Sequence, residues 1–381
     1  MRYFNPFSLI VCLIAAFLGI GIVMVYSSDA GRIIATDNNY ATLLRHVLWV
    51  LFGTIAMVVL MYIDYHIIQK YSWHIMGLSF LCLALVLIPG VGSMVNGARR
   101  WIRIGTIGFQ PSEFAKIAAI IFISNYIVKN QQAMKEFIKG FVIPMGVVGI
   151  LSIFILIEPD FGTATFLSLL AVTMLIVGGA RIVYIVFCVL TFVPIVYELI
   201  WEVPYRKERF VGFLDPWVDP LGKGYHIIQS WIALGSGGIS GVGLGKSYQK
   251  LFFLPESSND FIFSIIGEEL GLIGTIAIIA LFSLFIWQGI RVCYHAPDLF
   301  GSLLAFGVTY LIGLQAVINI GVVVGCLPTK GIPLPFISAG GSSLFFTLLG
   351  IGILLNVARQ TRQPDSEVPR SEYGIPYPVL R

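Results

Sequence analysis

The chain has 381 residues, of which 57% are hydrophobic and only 12% charged, with a net charge of +4; a soluble domain carries about 25% charged residues, so a water-soluble globule is excluded. A mean hydropathy of +0.89 and repeated apolar runs point to a bilayer, whose hydrocarbon core takes about 20 apolar residues per crossing. The five cysteines (Cys12, Cys82, Cys188, Cys293, Cys326) are scattered without a CxxC, which gives neither a disulfide framework nor a zinc cluster. The basic residues lack the interleaved aromatics of a nucleic-acid surface, so no nucleic-acid partner is expected.

Backbone groups in hydrocarbon must satisfy one another, so each long apolar run is expected to be a helix. The first, Leu9 to Val25, follows a short N-terminus bearing only Arg2. It is too long for a signal-peptide core and reads as a retained span near 7–26. Further spans are expected near 43–63, 72–88, 112–128, 140–157, 162–179, 182–201, 261–287, 300–324 and 341–357. The fold class is therefore an all-α polytopic membrane protein of about ten transmembrane helices, with both termini on one side. Counted without the long loop 202–260 between spans seven and eight, Lys and Arg favour that side as the cytoplasm. Residues 1–358 form a single ten-span domain, and 359–381 a basic cytoplasmic tail expected to be disordered.

The opposite face then receives loops 89–111, 158–161, 202–260 and 325–340, where Gly, Pro, Arg and Asp concentrate. Within the longest, Tyr225 to Gly245 is apolar enough to suggest a crossing, but six glycines fall between Gly235 and Gly245. A re-entrant or interfacial helix followed by a Gly-rich turn fits better. If this segment crossed, Asp260 and loop 325–340 would lie on the opposite face from loop 89–111.

Charges in or at the rim of a membrane are costly and mark functional candidates. Pro111 suits the first position of span four, with Glu113 in its first turn. Glu113 and Lys116 are three apart and can pair, either to tie helices or to serve a site. In Glu158-Pro159-Asp160-Phe161-Gly162-Thr163 a carboxylate stands at a helix entry, as a cap or as a site group. Asp260 opens span eight and can cap it. Glu268 and Glu269 are expected about 12 Å further down, in mid-membrane. Gly267, Gly271 and Gly274 form a stripe suited to close helix contact. Arg99, Arg100 and Arg103, then Arg206, Lys207 and Arg209, then Lys330 fall in three loops of one face. Arg forks and Lys charges suit phosphate or pyrophosphate oxygens, so an anionic ligand is expected there. No Walker loop, Rossmann fingerprint, nucleophile elbow or HExxH occurs.

Several motifs follow in order: Asn96-Gly97-Ala98-Arg99-Arg100-Trp101-Ile102, Gln110-Pro111-Ser112-Glu113-Phe114-Ala115-Lys116 and Pro159-Asp160-Phe161-Gly162-Thr163. Then come Lys250-Leu251-Phe252-Phe253-Leu254-Pro255-Glu256, Asp260-Phe261-Ile262-Phe263 and Gly267-Glu268-Glu269-Leu270-Gly271. The last are Leu327-Pro328-Thr329-Lys330-Gly331 and Leu334-Pro335-Phe336-Ile337-Ser338-Ala339-Gly340-Gly341-Ser342-Ser343. From about residue 90 to 358 this order resembles the SEDS family (shape, elongation, division and sporulation). The Pro-Thr-Lys-Gly run, and Gly243-Leu244-Gly245 before Gln249-Lys250, resemble its FtsW branch more than its RodA branch. The sequence departs from the family pattern at Ser258-Asn259, where His-Thr is usual, and at Ala339, where an aromatic is common.

The resemblance implies a peptidoglycan glycosyltransferase that polymerises lipid II into β-1,4 glycan strands for septal wall synthesis. Undecaprenyl pyrophosphate would leave in a single inverting displacement. Such a step needs a base at the acceptor hydroxyl and positive charge at the leaving group. By the same resemblance Asp260 is the catalytic base, and Arg100, Glu113, Lys116, Asp160, Glu256, Lys330 and Ser342 bind substrate. No cofactor is firmly implied beyond an optional divalent cation, Mg or Mn. The implied partners are a class B penicillin-binding protein transpeptidase and other divisome membrane proteins, in the bacterial cell membrane at the septum. Two alternatives stand beside this reading. A lipid II flippase suits mid-membrane Glu113, Lys116, Glu268 and Glu269, and a non-catalytic scaffold for a transpeptidase would make Asp260 dispensable.

Overall fold

The computed structural model of the protein describes residues 5–35, 41–95, 98–104, 107–184, 186, 190, 194, 197–198, 201–202, 212–222, 224–251 and 253–361. Helices α1 (Pro6–Ala35), α2 (Ala41–Tyr62), the short α3 (Tyr65–Lys70) and α4 (Ser72–Leu87) come first. After a small sheet follow α5 (Pro111–Lys129), α6 (Ile143–Ile157) and α7 (Phe161–Val177). The chain ends in α8 (Tyr225–Gly237), α9 (Ile262–Tyr294), α10 (Leu299–Val323) and α11 (Gly341–Gln360).

Among the described residues, seven helices are long and apolar enough to cross a membrane, and α4 and α7 are shorter apolar helices at two further expected spans. The architecture is the expected all-α polytopic membrane fold. Most of span 182–201 lies outside the described residues, as do Arg206, Lys207, Arg209 and tail residues 362–381. Helix α5 is buried along almost its whole length, whereas α2 presents Leu51, Phe52, Ile55 and Val59 outward. Outward apolar side chains are what lipid requires, so α5 is the centre of the bundle and α2 its rim.

Loop 89–111 is more ordered than expected. It folds into an antiparallel sheet in the order β1 (Gly92–Val95), β2 (Ala98–Ile104), β3 (Ile107–Phe109). Val95 pairs with Ala98, and Ile102 with Phe109. Asn96-Gly97 between two strand-like runs is the sequence signal for such a hairpin.

Helix α9 has 33 residues, about 50 Å at helical rise and far more than a bilayer core of about 30 Å. Gly271, at φ 66° and ψ −161°, divides it. The freed groups are satisfied by the Gly-rich turn after α8. Leu272 and Ile273 donate to the carbonyls of Gly238 (2.9 Å) and Ile239 (3.2 Å), while the carbonyls of Glu268 and Glu269 accept from Val242 and Gly243, both at 3.0 Å. A side chain at Gly271 would collide with the Gly241 main chain and one at Gly267 with the Leu234 side chain of α8, so these two glycines allow the close contact expected of the stripe, while Gly274 faces Leu270 of its own helix.

Helix α8 does not cross. It has 13 residues, about 20 Å of helix. Ser230, in the middle of it, donates to the carbonyl of Val323 at the end of α10 (2.7 Å). The turn after it reaches Glu269, which accepts from Ser27 toward the end of α1 (2.6 Å). Helices α1 and α10 both run antiparallel to the long part of α9, so these two ends lie on the same side of the bundle. Glu268 and Glu269 therefore lie on the Asp260 side of the break at Gly271, against the turn at 238–243.

Candidate functional site

The site forms where four connections meet at that end of the bundle: the sheet, the α6–α7 turn, the segment leading into α9, and loop 325–340. Asp260 lies just before α9. The residue at the N-cap position is Phe261, which makes no side-chain cap, so Asp260 is offset from the capping place it was expected to take. A methyl group on Gly331 would meet an Asp260 carboxyl oxygen at 2.8 Å, so the carboxyl rests against the backbone next to Lys330. Two residues that sequence reasoning missed hold this arrangement. Asn319 of α10 donates to the carbonyls of Asp260 and Ile332, both at 2.8 Å. Ser338 donates to the Asn259 carbonyl at 2.6 Å and accepts from the Leu334 N–H at 2.8 Å. An Asn deep in an apolar run was the available signal for the first; an isolated Ser gives none.

The two departures from the family pattern meet in space: the Ala339 N–H donates to the Ser258 carbonyl at 3.0 Å. This is a main-chain bond, which explains how the loops dock without the usual side chains.

Lys330 lays its aliphatic stem across Gly162, where a methyl group would strike its Cε at 2.1 Å. Burial pushes the Lys330 ammonium down to about 8, Asp160 pulls it back up, and Lys116 adds to the lowering. Asp160 caps α7, accepting from the Thr163 N–H at 3.0 Å and its hydroxyl at 2.9 Å. Expected as cap or site group, it is a cap that also faces Lys330. Arg100 extends from β2 and donates to the carbonyls of Glu158 (2.9 Å) and Pro159 (2.5 Å), clamping the α6–α7 turn. Glu158 itself is 1% exposed, and neither carboxyl oxygen has a hydrogen-bond partner among the described residues.

Lys116 and Glu113 pair as expected at 2.7 Å, both buried, with the ammonium 5.3 Å from the Phe166 ring centre. The structure thus brings Arg100, Glu113, Lys116, Asp160, Asp260 and Lys330 to one end. Glu256 and Ser342 are not drawn into that charged group. Glu256 is exposed and accepts from Asn259 at 2.6 Å. Ser342 is 1% exposed in the first turn of α11, its hydroxyl without a partner among the described residues.

A second buried group sits nearby. Lys250 donates to Glu269 at 2.8 Å and to Ser27 at 3.1 Å. Glu268 accepts from the Ser247 hydroxyl and the Tyr248 N–H (2.9 Å). Sequence reasoning saw both glutamates but not their partners, which come from α1 and the returning segment.

Chemically, a carboxyl at the same end of the bundle as a partly desolvated lysine, an arginine and a second lysine can accept a proton at one point while the cations hold an anion at another. Among the described residues no three His, Cys, Asp or Glu side chains gather as a metal cage.

The sequence profile of the cell cycle protein family FtsW/RodA/SpoVE matches residues 7–363. The chain is 44% identical to Stage V sporulation protein E of Bacillus subtilis over 94% of its length and 98% of that protein's. It is 45% identical to the probable peptidoglycan glycosyltransferase FtsW of Geobacter metallireducens, covering 95% and 97%. One solved chain, from work on structural coordination of polymerization and crosslinking by a peptidoglycan synthase complex, superposes with a TM-score of 0.75 at 28% identity, covering 93% of this chain and 98% of that one. The rod shape determining protein RodA of Thermus thermophilus gives 0.65 at 25% identity over 93% and 97%. A match of this extent in sequence and in fold leaves one conclusion: the chain is a member of the FtsW/RodA/SpoVE family, the SEDS proteins.

Proposed function

We propose that the protein is a peptidoglycan glycosyltransferase that polymerises lipid II at the Asp260–Lys330 end of its bundle. The observation that carries this is the Asp260 carboxyl packed on the backbone of Gly331, the residue after Lys330, whose desolvated ammonium faces Asp160 across the same end of the bundle. Asp260 takes the proton from the 4-hydroxyl of the acceptor sugar as that oxygen bonds to the anomeric carbon of the donor. The bond from that carbon to pyrophosphate breaks, its electron pair leaving with undecaprenyl pyrophosphate, and the configuration inverts. Lys330 and Arg100 balance the charge that develops on the leaving group. Glu113 and Lys116 hold the wall of the site, and Asp160 keeps Lys330 in place. Glu256 and Ser342 serve at its margin. No cage of metal ligands gathers among the described residues, so a divalent cation would be held by Asp260 together with the substrate and would supply positive charge to the leaving group.

The membrane face bearing the site is the extracytoplasmic one, with both termini in the cytoplasm, and the protein works at the division septum. The likeness to a chain from a synthase complex that couples polymerization to crosslinking supports a transpeptidase partner of the class B penicillin-binding type. A sporulation wall synthase is the second reading, supported by the 44% identity to the sporulation protein. Rescue of a division mutant rather than a sporulation mutant separates the two. The flippase reading finds less support, because Glu268 and Glu269 are already engaged with Ser27, Ser247 and Tyr248; the scaffold reading requires a dispensable Asp260, which the test below decides.

The test is polymerisation of purified lipid II by wild type and Asp260→Asn. Loss of the acceptor for the proton should lower the rate about 10²–10⁴-fold while the variant still folds and binds its partner. A variant that polymerises at the wild-type rate overturns the assignment.

A further inference from the structure

Glu158 plays no part in the step above, yet it lies within the turn that Arg100 clamps. Its carboxyl is 1% exposed and has no hydrogen-bond partner among the described residues. Arg100 passes close by, giving its Nε–H and one Nη2–H to the carbonyls of residues 158 and 159 and making no ion pair with the carboxyl among the described residues, which leaves three N–H donors for a ligand. A buried carboxylate left unpaired beside an available guanidinium is unfavourable, and a bound proton removes most of that cost.

We propose that Glu158 acts as an uncharged acid, a positioning residue that keeps the 158–160 turn from presenting a second negative charge where the substrate's pyrophosphate must lie. The inference rests on the polymerase reading. Asp160 already places one carboxylate near Lys330. Another, two residues away, would compete with the pyrophosphate for Arg100 and Lys330. The charged groups that face Glu158 are Asp160 and Arg100; burial and then Asp160 push the acid up to about 8, against the opposing pull of Arg100. Below pH 8 the acid is neutral and the cations are free for the ligand. Above it the acid ionises, and Lys330, itself held down to about 8, loses its charge. Both changes weaken anion binding in the same direction.

The test compares wild type with Glu158→Gln, which keeps size and polarity but never ionises. At pH 7 the variant should keep the wild-type KM for lipid II. Above pH 8 the wild-type KM should climb more steeply, since each titrating group contributes at most about tenfold per pH unit and the variant has lost one. Infrared difference spectra of the two proteins at pH 7, taken without substrate, should show a protonated carboxylic acid band belonging to Glu158. A carboxylate band there, superimposable KM–pH curves, or a tenfold higher KM for Glu158→Gln at pH 7 would each overturn the proposal. A wild type inactive at every pH would overturn the polymerase reading and the role built on it, and the infrared band would still report whether the acid is neutral.

Discussion

Lys250 and Lys330 are both carried by non-helical segments at the same end of the bundle, but their surroundings differ. Lys250 is 5% exposed and fully engaged, with Glu269 at 2.8 Å and Ser27 at 3.1 Å. Lys330 is partly desolvated, lies over a glycine, and makes no ion pair within 4 Å among the described residues. A saturated network joins three chain segments and leaves nothing to offer a ligand. An unsaturated cation stores binding capacity for a group that arrives later. The same contrast separates Glu268, whose carboxylate accepts from Ser247, Tyr248 and Gln249, from Glu158, whose carboxyl has no partner among the described residues. Burial alone therefore does not tell a structural charge from a functional one; partner count does.

The sharpest way to break this comparison is Lys250→Met. It strands Glu269 as a buried charge, and breaking such a pair costs about 3–5 kcal/mol. The unfolding temperature in detergent should fall steeply, with activity lost because the protein is lost. Wild-type stability would mean that the network is not structural.

Lys330→Met should behave in the opposite way. Stability should hold or rise, since a desolvated charge is removed, while lipid II affinity drops about 10–100-fold, the worth of a hydrogen bond to a charged group at roughly 1.5–3 kcal/mol. Intact affinity with lost stability would place Lys330 with Lys250.

Ser338→Ala tests the frame around the site rather than its charges. The hydrogen bond to the Asn259 carbonyl and the one accepted from the Leu334 N–H both go, for about 1 kcal/mol each. The expected result is a fall of a few degrees in unfolding temperature with a small loss in rate. A large loss of rate at unchanged stability would make Ser338 part of the chemistry.

Much of this was legible from residue order. Apolar runs of membrane thickness marked the crossings, and the Glu113–Lys116 spacing predicted a pair found at 2.7 Å. Asp160 at a helix entry and the six glycines from Gly235 to Gly245, which end α8 and form the turn after it, were legible in place. What stayed hidden depends on contacts between distant segments. Nothing local in Lys250 says that its carboxylate is Glu269 or that Ser27 completes the set. Asn319 and Ser338 are polar residues whose partners are backbone carbonyls, and a carbonyl has no sequence signature. The break in α9 had a local sign, a run too long for the bilayer, but the glycines were read only as a packing stripe. The sheet at 92–109 was announced by Asn96-Gly97 and passed over because its residues also belong to a motif.

The break at Gly271 also bears on how the chain enters a bilayer in the first place. An apolar run the length of α9 could thread in several registers, since sliding by a turn exchanges one oily residue for another at little cost. The four main-chain hydrogen bonds between the break and the turn at 238–243 remove that freedom, because only one register aligns them. The membrane sets that a crossing occurs here; the glycine sets where it starts. A slip of a single helical turn would move Asp260 by about 5.4 Å, away from Gly331 and out of reach of Lys330, in a protein that by hydropathy would look correctly inserted.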